Sequence, residues 1–201
     1  MDSAVTATTG AATGRVRALL RRPIGWPTAL ISAALGAYTL WGFSLPGGPS
    51  MGAFASLVLA WFAIGGYWVV RLVTALFAGG SKPARQEWWR WVVPPIVVVI
   101  TAALLVTSAP LLIRFNLSQN AMDQLVRDAE TGSETRRTDR VGLFFVRSIE
   151  SFEGGVRFLV NECMVDMCGF AYSSKGTPPN LSGEDSYYHL EGNWFLWEES
   201  W

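Results

Sequence analysis

The most constraining feature of this sequence is a long apolar stretch near its middle. Residues Trp91–Ile113 carry no charge and lie between Arg90 and Arg114. In a helix, about 20 such residues are enough to cross the hydrocarbon of a bilayer. The stretch therefore predicts a membrane span, and it decides in which compartment the polar C-terminal third of the chain lies.

Two further apolar runs precede this stretch, so we predict three membrane spans. They cover about residues 24–45, 51–77 and 92–113 and together make up a transmembrane region of residues 24–113. The first run also resembles the core of a signal peptide. Its length and the two later spans favour an uncleaved first span.

The charges on the connecting segments predict the orientation of the spans. Segments 15–22 and 79–91 are basic, whereas the turn 46–50 is uncharged. Lys and Arg in short loops mark the cytoplasmic side of a membrane. We therefore expect residues 1–23 to form a disordered basic cytoplasmic tail and residues 114–201 to form an extracytoplasmic domain.

The net charge of zero hides an unequal distribution of charge along the chain. Basic residues dominate the N-terminal half and acidic residues the C-terminal third. Each basic cluster adjoins an apolar run, which is typical of topology signals and lipid headgroup contact. The expected partners are therefore the lipid bilayer and an unknown membrane or cell-envelope protein, with no nucleic acid.

The C-terminal domain is predicted to begin with a helix over Asn116–Glu130, capped by Ser118. Its apolar stripe would consist of Leu117, Met122, Leu125, Val126 and Ala129. This helix could continue the third span directly.

The rest of the domain reads as antiparallel strands. Val141–Glu162 predicts a hairpin that turns at Gly154-Gly155 as a type I′ turn, which places Ile149 opposite Val160. A short strand at Gly169–Ser174 and a second hairpin of Tyr187–Leu190 with Trp194–Glu198 follow. The predicted fold class is therefore a membrane α-helical region of three spans plus a small α+β extracytoplasmic domain with an antiparallel sheet.

The two cysteines, Cys163 and Cys168, are the first candidates for chemistry. Outside the cytoplasm such a pair usually forms a structural disulfide, and this is our prediction. The alternative is a copper site or a thiol-redox site, because soft sulfur ligands are clustered here and suit Cu(I). Its ligands would be Cys163, Met164, Met167, Cys168 and His189.

Aromatic residues near the C-terminus are the second group of candidates. They supply contact area suited to a protein partner and are Tyr187, Tyr188, Trp194, Trp197 and Trp201. No nucleotide-binding, nucleophile-elbow or zinc-protease motif occurs in the sequence, so we expect no enzymatic activity, no cofactor and no resident metal. The predicted function is an interaction module or accessory subunit of a membrane complex.

Two segments of this domain resemble a group of bacterial proteins. Cys168–Ser173 (CGFAYS) and Gly183–Trp201 are similar to small, uncharacterised actinobacterial membrane proteins with a C-terminal extracytoplasmic domain and no assigned function. The resemblance implies a bacterial plasma membrane location. It carries over no catalytic residue.

Overall fold

The computed structural model describes residues 26–77, 88–130, 139–162, 167–181 and 183–199. The described helices are α1 (Trp26–Gly42), α2 (Met51–Phe77), α3 (Trp89–Val106) and α4 (Ala109–Glu130). The described strands are β1 (Asp139–Val141), β2 (Phe144–Val146), β3 (Ser148–Phe152), β4 (Gly155–Glu162), β5 (Met167–Ser173), β6 (Asp185–Glu191) and β7 (Trp194–Glu199).

Two of the described helices, α2 and α3, are long and apolar enough to cross a membrane. Their large apolar side chains are exposed, including Leu59, Phe62 and Leu76 of α2 and Val99 and Ile100 of α3. Helix α1 has 17 residues, fewer than the roughly 20 that a span needs. The predicted first span begins at residue 24, and residues 24 and 25 lie outside the described residues.

The chain divides into two compact units, Met1–Ala37 with Leu57–Thr101 and Tyr38–Ser56 with Ala102–Trp201. In the first unit, the Trp68 indole Nε1 donates a hydrogen bond of 3.1 Å to the Trp91 carbonyl and so ties α2 to α3. The second unit contains α4 and all the strands. It also includes Leu45 and the turn at 46–50.

The predicted third span does not continue as one helix. Helix α3 ends at Val106, and α4 begins at Ala109 after Ser108, whose φ is 50°. Pro110 follows in the first turn of α4, where its missing N–H costs nothing, whereas a continuous helix would need that N–H as a donor. Pro110 therefore explains why the helix is interrupted within the apolar run, before Arg114.

Helix α4 packs on the sheet through a stripe that differs from the predicted one. Its buried residues are Leu111, Phe115, Ser118, Met122 and Val126, spaced by three and four positions. Leu117 is instead 72% exposed, so its place in the predicted core was wrong. Ser118 lies inside the helix and does not cap it, because α4 begins at Ala109, nine residues before Ser118.

Five strands form one antiparallel sheet in the order β3-β4-β5-β7-β6, and β1 with β2 forms a separate hairpin. The antiparallel sheet of the predicted fold class is thus confirmed. One face of the sheet carries Phe158, Phe170 and Trp194 and packs against α4. The other face carries a smaller cluster of Ala171, Phe195 and Trp197.

The predicted register of the central hairpin was wrong. Ile149 lies opposite Phe158, not Val160, because the two turn residues are Glu153 and Gly154. Gly154 supplies the positive φ, at 90°, whereas Gly155 begins strand β4. Gly155 is required for a different reason: a Cβ at this position would collide with the Tyr172 carbonyl oxygen.

The strand preceding this turn is also interrupted. Arg147 separates β2 from β3, and its N–H donates a hydrogen bond of 2.8 Å to the Leu159 carbonyl. The interruption changes the alternation of faces, so that Phe144 and Val146 are buried while Phe145 is 54% exposed. Val141–Glu162 therefore contains two hairpins and not one.

The different roles of Gly154 and Gly155 can be tested by substitution. We expect Gly154→Asn to cost less than about 1 kcal/mol, because Asn tolerates a positive φ at the second turn position and its Cβ would meet only the flexible Lys175 side chain. Gly155→Asn should cost about 1–3 kcal/mol, because its side chain must displace backbone. Urea unfolding of the detergent-solubilised chain, followed by near-UV circular dichroism, measures both; equal tolerance at the two positions would contradict this turn.

Candidate functional site

The structure does not bring the predicted metal ligands together within the described residues. Met167 packs into the cluster of Ala171, Phe195 and Trp197, whereas Cys168, one residue on, has the parity of Phe170 and so belongs to the opposite face. Cys163 and Met164 lie outside the described residues, so the disulfide of Cys163 with Cys168 stays a prediction. Cys168 itself is buried.

His189 is distant from Cys168 on the sheet. It pairs with Phe195, which pairs with Ala171, so it lies two strands away and three residues along. A displacement of two strands across the sheet and three residues along it places His189 and Cys168 roughly 14 Å apart. The imidazole Nε2 is instead 2.9 Å from the Gly192 carbonyl. No group of three potential ligands among His, Cys, Asp and Glu is placed to hold a metal in the described part of the chain.

Most of the described aromatic residues that were predicted to face a partner are buried or half-buried. Trp194 and Trp197 are 2% and 3% exposed and belong to the two cores, which removes them from a partner surface. Tyr187 is half-buried beside Trp197. Tyr188 alone of the four described candidates is exposed, at 58%, and Trp201 lies outside the described residues.

A buried ion pair organises the face of the sheet opposite α4. The guanidinium of Arg157 donates to Glu150 Oε2 at 2.7 Å and to Asp185 Oδ1 at 3.2 Å. It also lies over the Trp197 ring, 4.5 Å from its centroid. Burial by itself would lower the pKa of Arg157, but the hydrogen bond and charge of Glu150, followed by the charge of Asp185, outweigh it and raise the pKa.

Asp185 connects this ion pair to the loop before β6. Its carboxylate also accepts hydrogen bonds from Trp197 Nε1 at 2.9 Å and from the Leu181 N–H at 2.7 Å. Tyr187 donates to the Pro179 carbonyl at 3.1 Å, and burial, then the Asp185 charge, raises the pKa of Tyr187 to about 12. Every polar group here has a partner in the protein, so the cluster is a structural clamp.

A second polar arrangement joins α4 to the β1–β2 hairpin. The Leu143 N–H donates to Ser118 Oγ at 3.0 Å, and Arg114 donates from Nε to the Leu143 carbonyl at 3.2 Å. Arg114 and Ser118 are one helical turn apart, so both project on one side of α4. Arg114 Nη1 also donates to Ser44 Oγ at 2.9 Å.

This arrangement forms one wall of a cleft of about 410 Å³ within the second unit, which we call the arginine cleft. It is lined by Leu45, Arg114, Arg140, Leu143, Phe144, Phe145, Arg147 and Val160. Among the lining residues that the structure describes, three are cationic and none is acidic. The remaining five are apolar, so the cleft presents both positive charge and hydrophobic surface.

Arg114 is the most constrained cation of the arginine cleft. Its guanidinium lies 4.8 Å from the centroid of the Phe144 ring. Burial, and then the positive charge of Arg140, lower the pKa of Arg114. The side chain remains charged, because an arginine does not lose its proton in a protein near neutral pH. Arg114 and Arg140 thus line the same cleft, and Arg114 is partly desolvated there.

Sequence reasoning did not identify the arginine cleft. Its residues come from four separate parts of the chain, and 26 positions separate Arg114 from Arg140. The only local signal was Arg114, the first charge after the longest apolar run. An arginine at this position is typical of the boundary of a membrane span. Its position in the sequence therefore gave no reason to associate it with Arg140 or Arg147.

No protein-family model matches this chain, and neither a curated protein nor a solved structure matches it.

The clamp around Arg157 can be tested through its two carboxylates. Asp185→Asn should destabilise the protein by about 1.5–3 kcal/mol, because the buried carboxylate accepts hydrogen bonds from Trp197 Nε1 and the Leu181 N–H as well as from Arg157. Glu150→Gln should cost about 0–1 kcal/mol, since the Glu150 side chain is 56% exposed. Urea unfolding of the two variants measures the difference, and equal losses would show that Asp185 does not dominate the clamp.

Proposed function

We propose that this chain is an integral plasma-membrane protein of three spans that presents its C-terminal sheet domain outside the cytoplasm as an interaction module. The observation that carries the proposal is the exposed apolar surface of α2 and α3. Apolar area of this extent is unfavourable in water and favourable in hydrocarbon. The sheet domain, in contrast, buries its own core.

The charge pattern supports the orientation. Basic residues flank the apolar runs at 15–22 and 79–91, while the turn 46–50 has none. Helix α1, together with the residues that flank it in the predicted span 24–45, would serve as the first span. Its exposed side chains, Leu30, Ile31 and Trp41, are suited to lipid contact.

An unpaired sheet edge supports the role in protein interaction. Strand β6 is the last strand of the sheet order, and among the described residues it pairs only with β7. Exposed edge strands are sites where another chain can add a strand. Tyr188 on this edge strand offers an exposed aromatic side chain, and such a side chain is favoured at protein interfaces.

The topology can be tested with compartment-specific reporters. A reporter that is active only in the periplasm or cell exterior should be active when fused after Trp201 and inactive when fused after Arg85. A reporter active only in the cytoplasm should give the inverse result, because segment 79–91 is the basic loop. Cytoplasmic activity of the fusion at Trp201 would contradict the proposed orientation or the number of spans.

The interaction role can be tested by photo-cross-linking in the native membrane. A photoreactive amino acid at position 188 should yield a discrete protein adduct, because this position lies on the unpaired edge of β6. The same amino acid at position 175 is the control, since Lys175 is also exposed but lies in a loop away from that edge. No adduct at 188, or equal adducts at both positions, would argue against a partner at β6.

A further inference from the structure

We propose that the arginine cleft binds the phosphate of an anionic phospholipid, with the glycerol and upper acyl carbons of the lipid against its apolar lining. This inference rests on the proposed membrane location but goes beyond the proposed interaction role. It assigns a ligand to a site on the helix α4 side of the domain, away from strand β6.

The charge of the cleft indicates an anionic ligand. Arg114 is held by two neutral acceptors, the Leu143 carbonyl and Ser44 Oγ, which orient it but do not neutralise it. Arg140 lines the same cleft, where its positive charge repels that of Arg114 and, after burial, lowers the pKa of Arg114. An anion between the two guanidinium groups would convert this repulsion into attraction, and a phosphate diester offers oxygens that match the arginine fork.

The apolar lining indicates that the ligand is an amphiphile. Phe145 is 54% exposed and Leu143 is 39% exposed, although both belong to the β1–β2 hairpin of a domain with a well-buried core. Exposed apolar side chains directly beside arginines suit a molecule with a phosphate and a hydrocarbon part. A volume of about 410 Å³ lies at the small end of the range for ligand sites, so it suits a headgroup with glycerol rather than a whole lipid.

The position of the cleft along the chain identifies the source of the phosphate as the bilayer. Leu45 closes the first apolar run before the turn 46–50, and Arg114 follows Ile113 at the end of the last one. In a three-span chain these two ends emerge at the same membrane surface. They do so whichever way the protein is oriented, so the inference needs the spans but not their direction.

The test uses the full chain purified in a non-ionic detergent and native mass spectrometry of bound lipid. Phosphatidylglycerol and phosphatidylcholine with identical acyl chains are titrated separately. Both lipids carry the same phosphate diester, but phosphatidylcholine also carries a trimethylammonium group that the arginines would repel. For this reason we expect the wild-type protein to bind phosphatidylglycerol about tenfold more tightly. Equal binding of the two lipids would overturn the inference.

The variant R140Q/R147Q should lose about tenfold in affinity for phosphatidylglycerol and should no longer prefer it. Both arginines are exposed, unlike Arg114, which clamps the hairpin. R147Q alone gives a second reading if the double variant fails to fold. The matched control for R147Q is R127Q, which also removes one positive charge, from an exposed site near the end of α4, and should bind like the wild type. Unchanged binding by the folded arginine-cleft variants would overturn the inference.

Two further measurements separate the alternatives. Inorganic phosphate in large molar excess should not displace the lipid; displacement would make the cleft a site for free phosphate and overturn a lipid ligand. Alkaline carbonate washing of native membranes should leave the chain in the pellet. Loss from the pellet would contradict the proposed function, whereas retention without a lipid preference would contradict this inference alone.

Discussion

The packing of α4 against one face of the sheet is the interaction on which the rest of the domain depends. Phe115 lies at its centre, with its ring centroid 5.1 Å from that of Phe170 and 5.6 Å from that of Trp194. These buried aromatic contacts fix the rotation of the helix, and the hydrogen bond of 3.1 Å from Trp194 Nε1 to Asp123 fixes its position along the sheet. The position of α4 then determines which of its other residues point toward the sheet and which point away from it.

The polar clamp at the β1–β2 hairpin follows from this helix position. Because Phe115 points into the core, Ser118 on the next turn also faces the protein, and Arg114 lies at the margin of the same face. Ser118 and Arg114 then bind the N–H and the carbonyl of Leu143, so the hairpin is attached to α4 through its turn. The arginine cleft is thus partly a consequence of core packing, since Phe144 and Val160 of its lining belong to the core and Arg114 is held by the Leu143 carbonyl.

Composition predicted the apolar helices and the antiparallel sheet, but not the register within them. The central hairpin was misplaced because two adjacent glycines resemble a type I′ turn, whereas Gly155 is required by a close backbone approach across β4 and β5. Phe115 was missed because the apolar run up to Ile113 was interpreted as lipid-facing, which excluded its neighbours from the core. The Arg157–Asp185 pair joins residues 28 positions apart, and no local pattern distinguishes it from surface charge. Contacts of this kind depend on tertiary packing, which propensity and periodicity do not report.

Arg157 and Arg114 show how the surroundings of an arginine distinguish a structural cation from a candidate binding cation. Arg157 faces two carboxylates, and its pKa is raised, so its charge is already compensated within the protein. Arg114 faces a carbonyl, a hydroxyl and an aromatic ring, and its pKa is lowered by burial and by a second arginine. Adding an anion near Arg157 would compete with its carboxylates, whereas adding one near Arg114 would supply a charge that the neighbouring acceptors lack. The same residue type therefore closes one site and leaves the other suited to a ligand.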